Sequence, residues 1–284
     1  MEAKISPQDI VNYYDTCEVD YRWLWHLNEL SAMHYGLWWD DTTHLKEALK
    51  NMNDYVLNKV ALQDDLKILD AGCGVGGTSI YAAKNYKCDL FGITLSEKQV
   101  ATAKEKATQN ELLGNVHFSV QNYCKTNFEN ESFDAIYAIE SVCHAEEKEA
   151  FVKESFRLLK NGGRLVIADF FKSRNELPAQ HEKLLKNWAH SWAVPSFISF
   201  NKFIEFAEEA GLSILEDNNI SPLIHKSARR LYLYFIPGII SHWFLRLLGL
   251  RNRIHGTNVW STYYQYIGLK KGLWQYHVLK FIKK

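Results

Sequence analysis

The chain has 284 residues, of which 47% are hydrophobic and 23% charged, and its formal net charge is zero. This composition supports one large domain, or a core with a sizeable lid, and it excludes a disordered, collagenous or coiled-coil protein. The balanced charge argues against a nucleic-acid-binding protein held by bulk electrostatics.

The charges are nevertheless segregated along the chain. Residues 223–284 contain eleven Lys and Arg and no Asp or Glu, so residues 1–222 carry a net charge of −11. A cationic segment of this size usually faces an anionic partner, such as lipid headgroups or a phosphorylated substrate.

The cysteines and the N-terminus indicate a cytoplasmic protein. The five cysteines form no CxxC pair and no zinc-ligand spacing, so we expect no disulfides and no metal site. The polar N-terminus lacks the pattern of a signal peptide. Residues 231–250 form an apolar run, but Pro237, His242 and Arg246 interrupt it, which argues against a membrane-spanning helix.

In chain order, strand-like runs alternate with helical ones. The predicted strands are residues 67–71, 89–94, 116–121, 133–140, 164–171, 212–216 and 274–282. The predicted helices are residues 45–60, 78–86, 95–113 (with Ser96 as its N-cap), 146–160 and 202–210. This alternation predicts crossover connections and a parallel sheet.

Four regions follow from this pattern. Residues 1–60 are predicted to form an N-terminal helical lid, and residues 61–220 the core domain, with an irregular, Trp-rich insertion at 172–200. Residues 221–273 are apolar and basic, and we expect them to form a cap over the substrate or a membrane-facing insertion. Residues 274–284 are predicted to return to the sheet as its final strand.

A glycine-rich turn, residues 72–77, directly follows the first predicted strand. A strand, a glycine turn and a helix in succession let the backbone approach a ligand closely. The glycines also satisfy the dinucleotide fingerprint, which keeps an NAD-dependent oxidoreductase open. The second strand, however, ends in Thr94-Leu95-Ser96 and not in the acidic residue that an NAD site uses. Asp70, just before the glycines, suits a cationic ligand group such as a sulfonium and would repel a pyrophosphate.

The stretch Asp70–Gly77 resembles motif I of the class I S-adenosylmethionine-dependent methyltransferases. The chain is similar, more narrowly, to the group that contains sterol side-chain and gamma-tocopherol methyltransferases. The stretches that carry this narrower resemblance are 12–15, 34–36, 92–96 with Gln99, 137–145 and 268–272. The resemblance implies S-adenosylmethionine as cofactor. It also implies an α/β fold with a doubly wound, seven-stranded, mostly parallel Rossmann-like sheet, an antiparallel last strand, N-terminal helices and a helical substrate cap.

The resemblance also implies which residues bind the cofactor. They are Tyr14, Asp70, Gly72, Gly74, Thr94, Leu95, Gln99, Asn122, Tyr123 and Ile139. The two glycines would contact the methionine portion, and Thr94 and Leu95 the ribose and adenine. Asn122 stands where the family often has an Asp for the adenine amino group, and its side-chain oxygen can still accept that hydrogen bond.

Glu140, His144 and Tyr35 are the predicted catalytic residues. Glu140 and His144 follow the fourth strand four residues apart, so one helical turn would place both on one face, at the edge where α/β enzymes build their sites. Methylation of an alkene leaves a carbocation, and a base must then remove a proton. Two alternatives stay open: Glu140 binds only the cofactor, or His144 is a buried structural residue. Tyr35 is chosen on its motif position.

We therefore expect a C-methyltransferase for a hydrophobic small molecule, an isoprenoid or sterol-like alkene, with a prenyl diphosphate or a sterol as candidate acceptors. An aromatic ring carbon or an amine nitrogen is the alternative acceptor atom. An NAD-dependent oxidoreductase and a non-catalytic lipid-binding protein are the alternatives of other classes. We expect no nucleic-acid partner, and peripheral membrane contact through 221–273 and oligomerisation remain open.

Overall fold

The computed structural model describes residues 5–25 and 27–284, so residues 1–4 and 26 of the predicted N-terminal lid lie outside the described residues. The strands are β1 Lys67–Ala71, β2 Asp89–Thr94, β3 Asn115–Val120, β4 Phe133–Ile139, β5 Leu159–Lys172, β6 Leu212–Asn219 and β7 Trp274–Lys283. The helices are α1 Pro7–Leu24, α2 Leu27–Leu30, α3 Leu45–Val60, α4 Gly77–Asn85, α5 Glu97–Thr108, α6 Lys148–Leu158, α7 Ala179–Ser191, α8 Phe200–Glu209, α9 Ser221–Leu233, α10 Phe235–Leu247 and α11 Arg253–Lys270, with a 3₁₀ turn at Val142–His144.

The seven strands form one sheet in the order β3-β2-β1-β4-β5-β7-β6. β7 runs antiparallel to both of its neighbours, β5 and β6, and the other neighbouring strands pair in parallel. The predicted doubly wound, seven-stranded sheet with an antiparallel last strand is therefore confirmed. The strand order reverses between β1 and β4, and the carboxyl ends of strands at such a switch point border the ligand crevice of α/β proteins.

The central strands are buried on both faces, which explains their almost unbroken apolar sequence. Successive strand residues alternate between two core clusters. One cluster includes Ile68, Ala135, Tyr137, Val166 and Ala168 of the sheet with Leu49, Met52 and Val56 of α3. The other includes Leu69, Ile136, Ala138, Leu165 and Ile167 of the sheet with Phe151 of α6 and Phe203 of α8.

Two predicted helices are shorter in the structure. The helix predicted over 95–113 ends at Thr108, although Ser96 caps it as expected by accepting a hydrogen bond from the Gln99 N–H. The helix predicted over 146–160 ends at Leu158, and the chain enters β5 directly. The Asn161-Gly162-Gly163 stretch, which follows the predicted helix, lies within that strand, where the register between β4 and β5 shifts.

The irregular structure predicted for 172–200 is wrong over the middle of that segment, which forms the regular helix α7. Pro178 lies just before the helix, where it interrupts no helical hydrogen bond. Trp188 is fully buried, and its ring centroid lies 4.8 Å from that of Trp274 and 4.5 Å from that of Phe197. Burial of this aromatic face fixes the helix against the core.

The basic C-terminal region forms three consecutive helices, α9, α10 and α11, before β7 closes the sheet. Within the described residues, no helix combines the length and the apolar character needed to cross a membrane.

Candidate active site

A cavity opens at the carboxyl ends of β1, β2 and β4, where the strand order reverses, and helices α1, α9 and α11 supply its other walls. Twelve of the thirteen predicted site residues line it. They are Tyr14, Tyr35, Asp70, Gly72, Gly74, Thr94, Leu95, Gln99, Tyr123, Ile139, Glu140 and His144. The structure therefore brings twelve of the predicted residues together around one cavity, and their roles stay predictions.

Asn122 is the predicted residue that does not line the cavity. Its side chain is exposed, and its Oδ1 accepts a hydrogen bond from the Cys124 N–H at 2.9 Å, which stabilises the local turn. The neighbouring Tyr123 does reach the site, where its hydroxyl donates to the Ser141 carbonyl at 2.7 Å.

The glycine turn brings the backbone against the strand ends. Gly72 has φ +98°, a conformation that favours glycine, and a Cβ there would lie 2.3 Å from the Ser141 Cβ. The backbone N–H groups of Gly72 and Cys73 both donate to the Ile93 carbonyl, which fixes the turn to β2. α4 then begins at Gly77, so its N-terminus lies at the cavity wall.

Asp70 places a buried carboxyl group at the base of this turn. Its Oδ2 accepts hydrogen bonds from Ser79 Oγ at 2.7 Å and from the Tyr137 hydroxyl at 2.9 Å. Burial raises the pKa of Asp70 to about 6, and the two hydrogen bonds oppose that rise. A cationic ligand in the cavity would favour the ionised carboxylate.

At the end of β2, side chains suited to hydroxyl-bearing ligands face the cavity. The Thr94 hydroxyl donates to Gln99 Oε1 at 2.6 Å, which orients the amide group of Gln99. Ser96 Oγ donates to Asp15 Oδ1 at 2.9 Å and thereby holds α1 beside this edge of the cavity.

Glu140 follows β4 in a left-handed backbone conformation, φ +49°, which is uncommon for a non-glycine residue and often marks a functional site. Its Oε1 accepts hydrogen bonds from the Tyr35 N–H at 2.6 Å and from the Tyr276 hydroxyl at 2.9 Å. Burial raises the pKa of Glu140 well above its usual range, and the nearby Asp169 raises it further. Glu140 is therefore a carboxyl group that two hydrogen bonds fix in position and whose pKa is raised.

Tyr35 meets Glu140 through its backbone and not through its hydroxyl. The hydroxyl donates to Gln265 Oε1 on α11 at 2.9 Å. The ring packs edge-to-face on Phe170, which also lines the cavity. The catalytic role of Tyr35 stays a prediction, and its geometry is that of a positioning residue.

His144 shares the cavity with Glu140, but the helical turn expected to join them is wrong. A short 3₁₀ turn begins only at Val142, after the left-handed Glu140. The His144 Nδ1 faces the Ala193 carbonyl at 3.1 Å, and because a carbonyl can only accept, Nδ1 carries the proton. Nε2 therefore accepts the hydrogen bond from the Tyr14 hydroxyl at 2.8 Å. Burial lowers the pKa of His144 to about 4, so the ring is neutral near pH 7.

Behind His144 lies a buried frame that the sequence reading missed. Lys148 Nζ donates to three carbonyls, those of Cys143 at 3.0 Å, Ala145 at 2.8 Å and Ser196 at 2.7 Å. Asp169 accepts a hydrogen bond from the Cys143 N–H at 2.9 Å. Together they fix the loop that carries His144. A lone acid in the apolar strand 164–171 was the available sequence signal for Asp169.

Replacing Lys148 with Met is expected to lower the free energy of unfolding by about 2 kcal/mol, because three carbonyls lose their hydrogen-bond donor. Removal of a buried charge offsets part of that loss. Chemical denaturation of both proteins measures the difference. The exposed Lys104, changed to Met, is the matched control and should leave stability unchanged. Equal stability of the Lys148→Met variant would mean that desolvation offsets the three hydrogen bonds.

Two further cavity residues, and one residue that contacts Glu140 from outside the lining, come from segments far along the chain. Tyr276 of β7 donates to Glu140, and Phe170 of β5 and Trp192, just after α7, supply aromatic rings 5.6 Å apart. Their place in the site depends on tertiary packing, for which the sequence carried no local signal. Within residues 5–25 and 27–284, no group of His, Cys, Asp and Glu is arranged to hold a metal ion.

The sequence profile of the mycolic acid cyclopropane synthetase family matches residues 2–227 of the chain. Cycloartenol-C-24-methyltransferase 1 of Oryza sativa subsp. japonica is 27% identical over 272 residues, which are 94% of this chain and 75% of the relative. The 2-methyl-6-phytyl-1,4-hydroquinone methyltransferase of Synechocystis is 30% identical over 220 residues, 73% of this chain and 66% of the relative. These relatives confirm the predicted sterol and tocopherol-pathway resemblance.

Among solved structures, the mycolic acid cyclopropane synthase CmaA1, complexed with SAH and CTAB, superposes over the full length of both chains with a TM-score of 0.84 and 19% identity. At this identity the superposition shows a shared fold. The match confirms the Rossmann-like architecture that the sequence predicted.

Proposed function

Because the chain belongs to the mycolic acid cyclopropane synthetase family and is an S-adenosylmethionine-dependent methyltransferase, we propose that it methylates a carbon of an uncharged hydrophobic acceptor, an isoprenoid or sterol-like alkene. The observation that carries this proposal is the position of Glu140. A hydrogen-bonded carboxyl group of raised pKa lies in the same aromatic-lined cavity as the glycine turn.

The residues at the turn fit the cofactor. Gly72 lets the turn pack closely against Ser141 at the strand ends, where a Cβ would clash, and Asp70 supplies a buried carboxylate for a cationic group. Gln99 and Thr94 present side chains that can bind ribose hydroxyls. When bound, S-adenosylmethionine supplies an electrophilic methyl group on a sulfonium.

The charge of the cavity favours an uncharged acceptor over a prenyl diphosphate. No Lys or Arg is present among the described residues that line the cavity, whereas Asp20, Asp70 and Glu140 are. Three cations outside the lining contact lining residues: Arg251 pairs with Asp20, Lys106 donates to Ser31 and Lys148 donates to the Cys143 carbonyl. A diphosphate in this cavity would therefore meet carboxylates, with no cation among the lining residues to compensate its charge.

Glu140 is suited to remove the proton that alkene methylation makes acidic. Transfer of a methyl group to one alkene carbon leaves a carbocation at the other, and loss of a neighbouring proton to the carboxylate restores a double bond. Tyr35 and Tyr276 both bind Oε1, so Oε2 is the oxygen that takes the proton. The rings of Phe170 and Trp192 line the same cavity and can stabilise the cation through their faces.

A ring carbon of a prenylated hydroquinone is the second candidate acceptor. It is favoured by the 30% identity to the phytyl-hydroquinone methyltransferase of Synechocystis. The same carboxylate would remove the ring proton after methylation, so Glu140 serves both reactions.

A screen with methyl-labelled S-adenosylmethionine tests the acceptor class. The panel contains sterols, linear isoprenoid alkenes, prenylhydroquinones, prenyl diphosphates and amines, and organic extraction separates neutral products. We expect label in a neutral isoprenoid or sterol. Label only in an amine or in a prenyl diphosphate would overturn the proposal, and label only in a hydroquinone would select the second candidate.

The affinity for S-adenosylmethionine is expected to fall about tenfold as the pH decreases from 7.5 to 5, because a cation binds better to ionised Asp70 and protonation through its pKa of about 6 removes that charge. Isothermal titration calorimetry measures the affinity at each pH. The Asp70→Asn variant should bind weakly at pH 7.5 and show a much smaller pH dependence. Asp41→Asn, at an exposed carboxylate, is the control. An unchanged pH dependence in Asp70→Asn would assign the effect to another group.

A further inference from the structure

A large apolar surface is exposed on the C-terminal helices. Nine of the fifteen large apolar side chains that are exposed in the described part of the chain lie between residues 233 and 260. Eight of them are 57–84% exposed, which is more apolar exposure than is usual for a helix that faces only water. We call these eight the α10 face; they are Leu233, Ile236, Ile240, Trp243, Phe244, Leu247, Leu248 and Leu250.

The α10 face follows the helical repeat. Ile236, Ile240, Trp243 and Leu247 are separated by four, three and four residues, so they form one stripe along α10. The helix turns its buried residue, His242, inward against Gly256 of α11. The apolar stripe therefore lies on the outer side of α10, and the opposite side of the helix packs against α11.

The helices α9, α10 and α11 carry cations and no carboxylates. Residues 221–284 contain no Asp or Glu. Arg229, Arg246 and Arg253 are exposed and form no ion pair with any carboxylate of residues 5–25 or 27–284. The Arg246 guanidinium lies 5.9 Å from the ring centroid of Trp243, so cationic and apolar groups occupy one surface.

The dimensions fit a helix that lies on a bilayer. α10 has 13 residues and is about 20 Å long, too short to cross a hydrocarbon core of about 30 Å. A short helix with an apolar stripe, a Trp and flanking arginines has the character of an interfacial helix. Unpaired arginines favour anionic headgroups over neutral ones.

The α10 face adjoins the walls of the active-site cavity. Leu231, at the end of α9, lines the cavity, and so do Asn258, Ser261 and Thr262 of α11. α10 lies between these two helices in sequence and packs against both. A bilayer seated on α10 would thus lie next to the cavity that we assign to a hydrophobic acceptor.

We propose that the α10 face docks on the surface of an anionic phospholipid bilayer, with α10 parallel to the membrane plane. The docking uses residues outside the methyl-transfer site and goes beyond the acceptor class proposed above. It places two helices that form walls of the cavity next to the phase in which a hydrophobic acceptor is dissolved.

Flotation with phospholipid vesicles tests the docking. Vesicles contain phosphatidylcholine alone, or phosphatidylcholine with 30% phosphatidylglycerol, in about 0.15 M salt. The full-length protein is expected to float with the anionic vesicles and to remain unbound with the neutral ones. The assay needs no cofactor or acceptor, so its result is independent of the proposed acceptor class.

Matched variants locate the contact. Ile240→Ser, Leu247→Ser and Leu250→Ser combined are expected to weaken the partition to anionic vesicles by about tenfold or more, because three apolar side chains no longer enter the interface. The control combines Leu113→Ser, Val120→Ser and Leu215→Ser, which are exposed elsewhere. Arg246→Gln with Arg253→Gln should weaken anionic binding by about tenfold, and Lys104→Gln with Lys183→Gln should not.

Cofactor titration by calorimetry keeps the test decisive, since each variant must bind S-adenosylmethionine as the unaltered protein does. Failure of the unaltered protein to float with anionic vesicles would overturn the proposal. Equal flotation of the triple variant would do so too. A dimer in solution that becomes a monomer in the triple variant, without vesicle binding, would show that a second copy of the chain covers this face.

Discussion

Replacing Glu140 with Gln is expected to lower kcat by about 100- to 1000-fold and to leave the affinity for S-adenosylmethionine nearly unchanged. Gln keeps the size of the side chain and can still accept hydrogen bonds from Tyr35 and Tyr276, but it cannot take up a proton. The variant therefore separates proton removal from cofactor binding. Initial rates with the acceptor found in the screen, together with calorimetric titration of the cofactor, measure the two effects.

The pH profile of kcat provides a second readout. Burial raises the pKa of Glu140, and a base works only in its ionised form, so the rate of the unaltered enzyme should fall as the pH drops through this raised value. The remaining rate of Glu140→Gln should lack that limb. Glu111→Gln, at an exposed site, is the control and should retain both rate and profile. Loss of cofactor affinity with no separate effect on kcat would assign Glu140 to cofactor binding alone.

The fold was predictable because its signals are local and repeated. Strands such as 67–71 and 164–171 are apolar on both faces, as a parallel sheet covered by helices requires. The glycine turn after Asp70 marks the first crossover and the ligand edge, and the motif at 137–145 marks the end of the neighbouring strand. Because β1 and β4 are adjacent in the sheet, these two stretches meet in one cavity.

The remaining features depend on contacts between distant segments. Tyr276 reaches Glu140 only because β7 inserts antiparallel beside β5, and Lys148 gains its third carbonyl from Ser196 across a loop. The helical turn that the spacing of Glu140 and His144 predicted was also wrong, because the left-handed backbone of Glu140 interrupts it. Asn122 was predicted from the family resemblance, but its amide oxygen accepts a hydrogen bond within its own turn.

Gly72→Ala is expected to weaken the binding of S-adenosylmethionine by about 100-fold, because the new Cβ would lie 2.3 Å from the Ser141 Cβ and force the turn away from the strand ends. The backbone also has φ +98°, which strains any residue with a side chain. Calorimetric titration gives the affinity, and chemical denaturation shows whether the variant is folded.

Gly162→Ala separates steric clash from backbone strain. Gly162 has φ +77°, similar to Gly72, but a Cβ there would have no atom within 4 Å. This variant should lose only about 1 kcal/mol of stability and keep its cofactor affinity. Adding Ser141→Gly to Gly72→Ala removes the clashing side chain and should restore part of the affinity. If both single variants bind the cofactor equally well, Gly72 serves the backbone conformation alone, and the close approach of the turn to Ser141 is not what shapes the cofactor site.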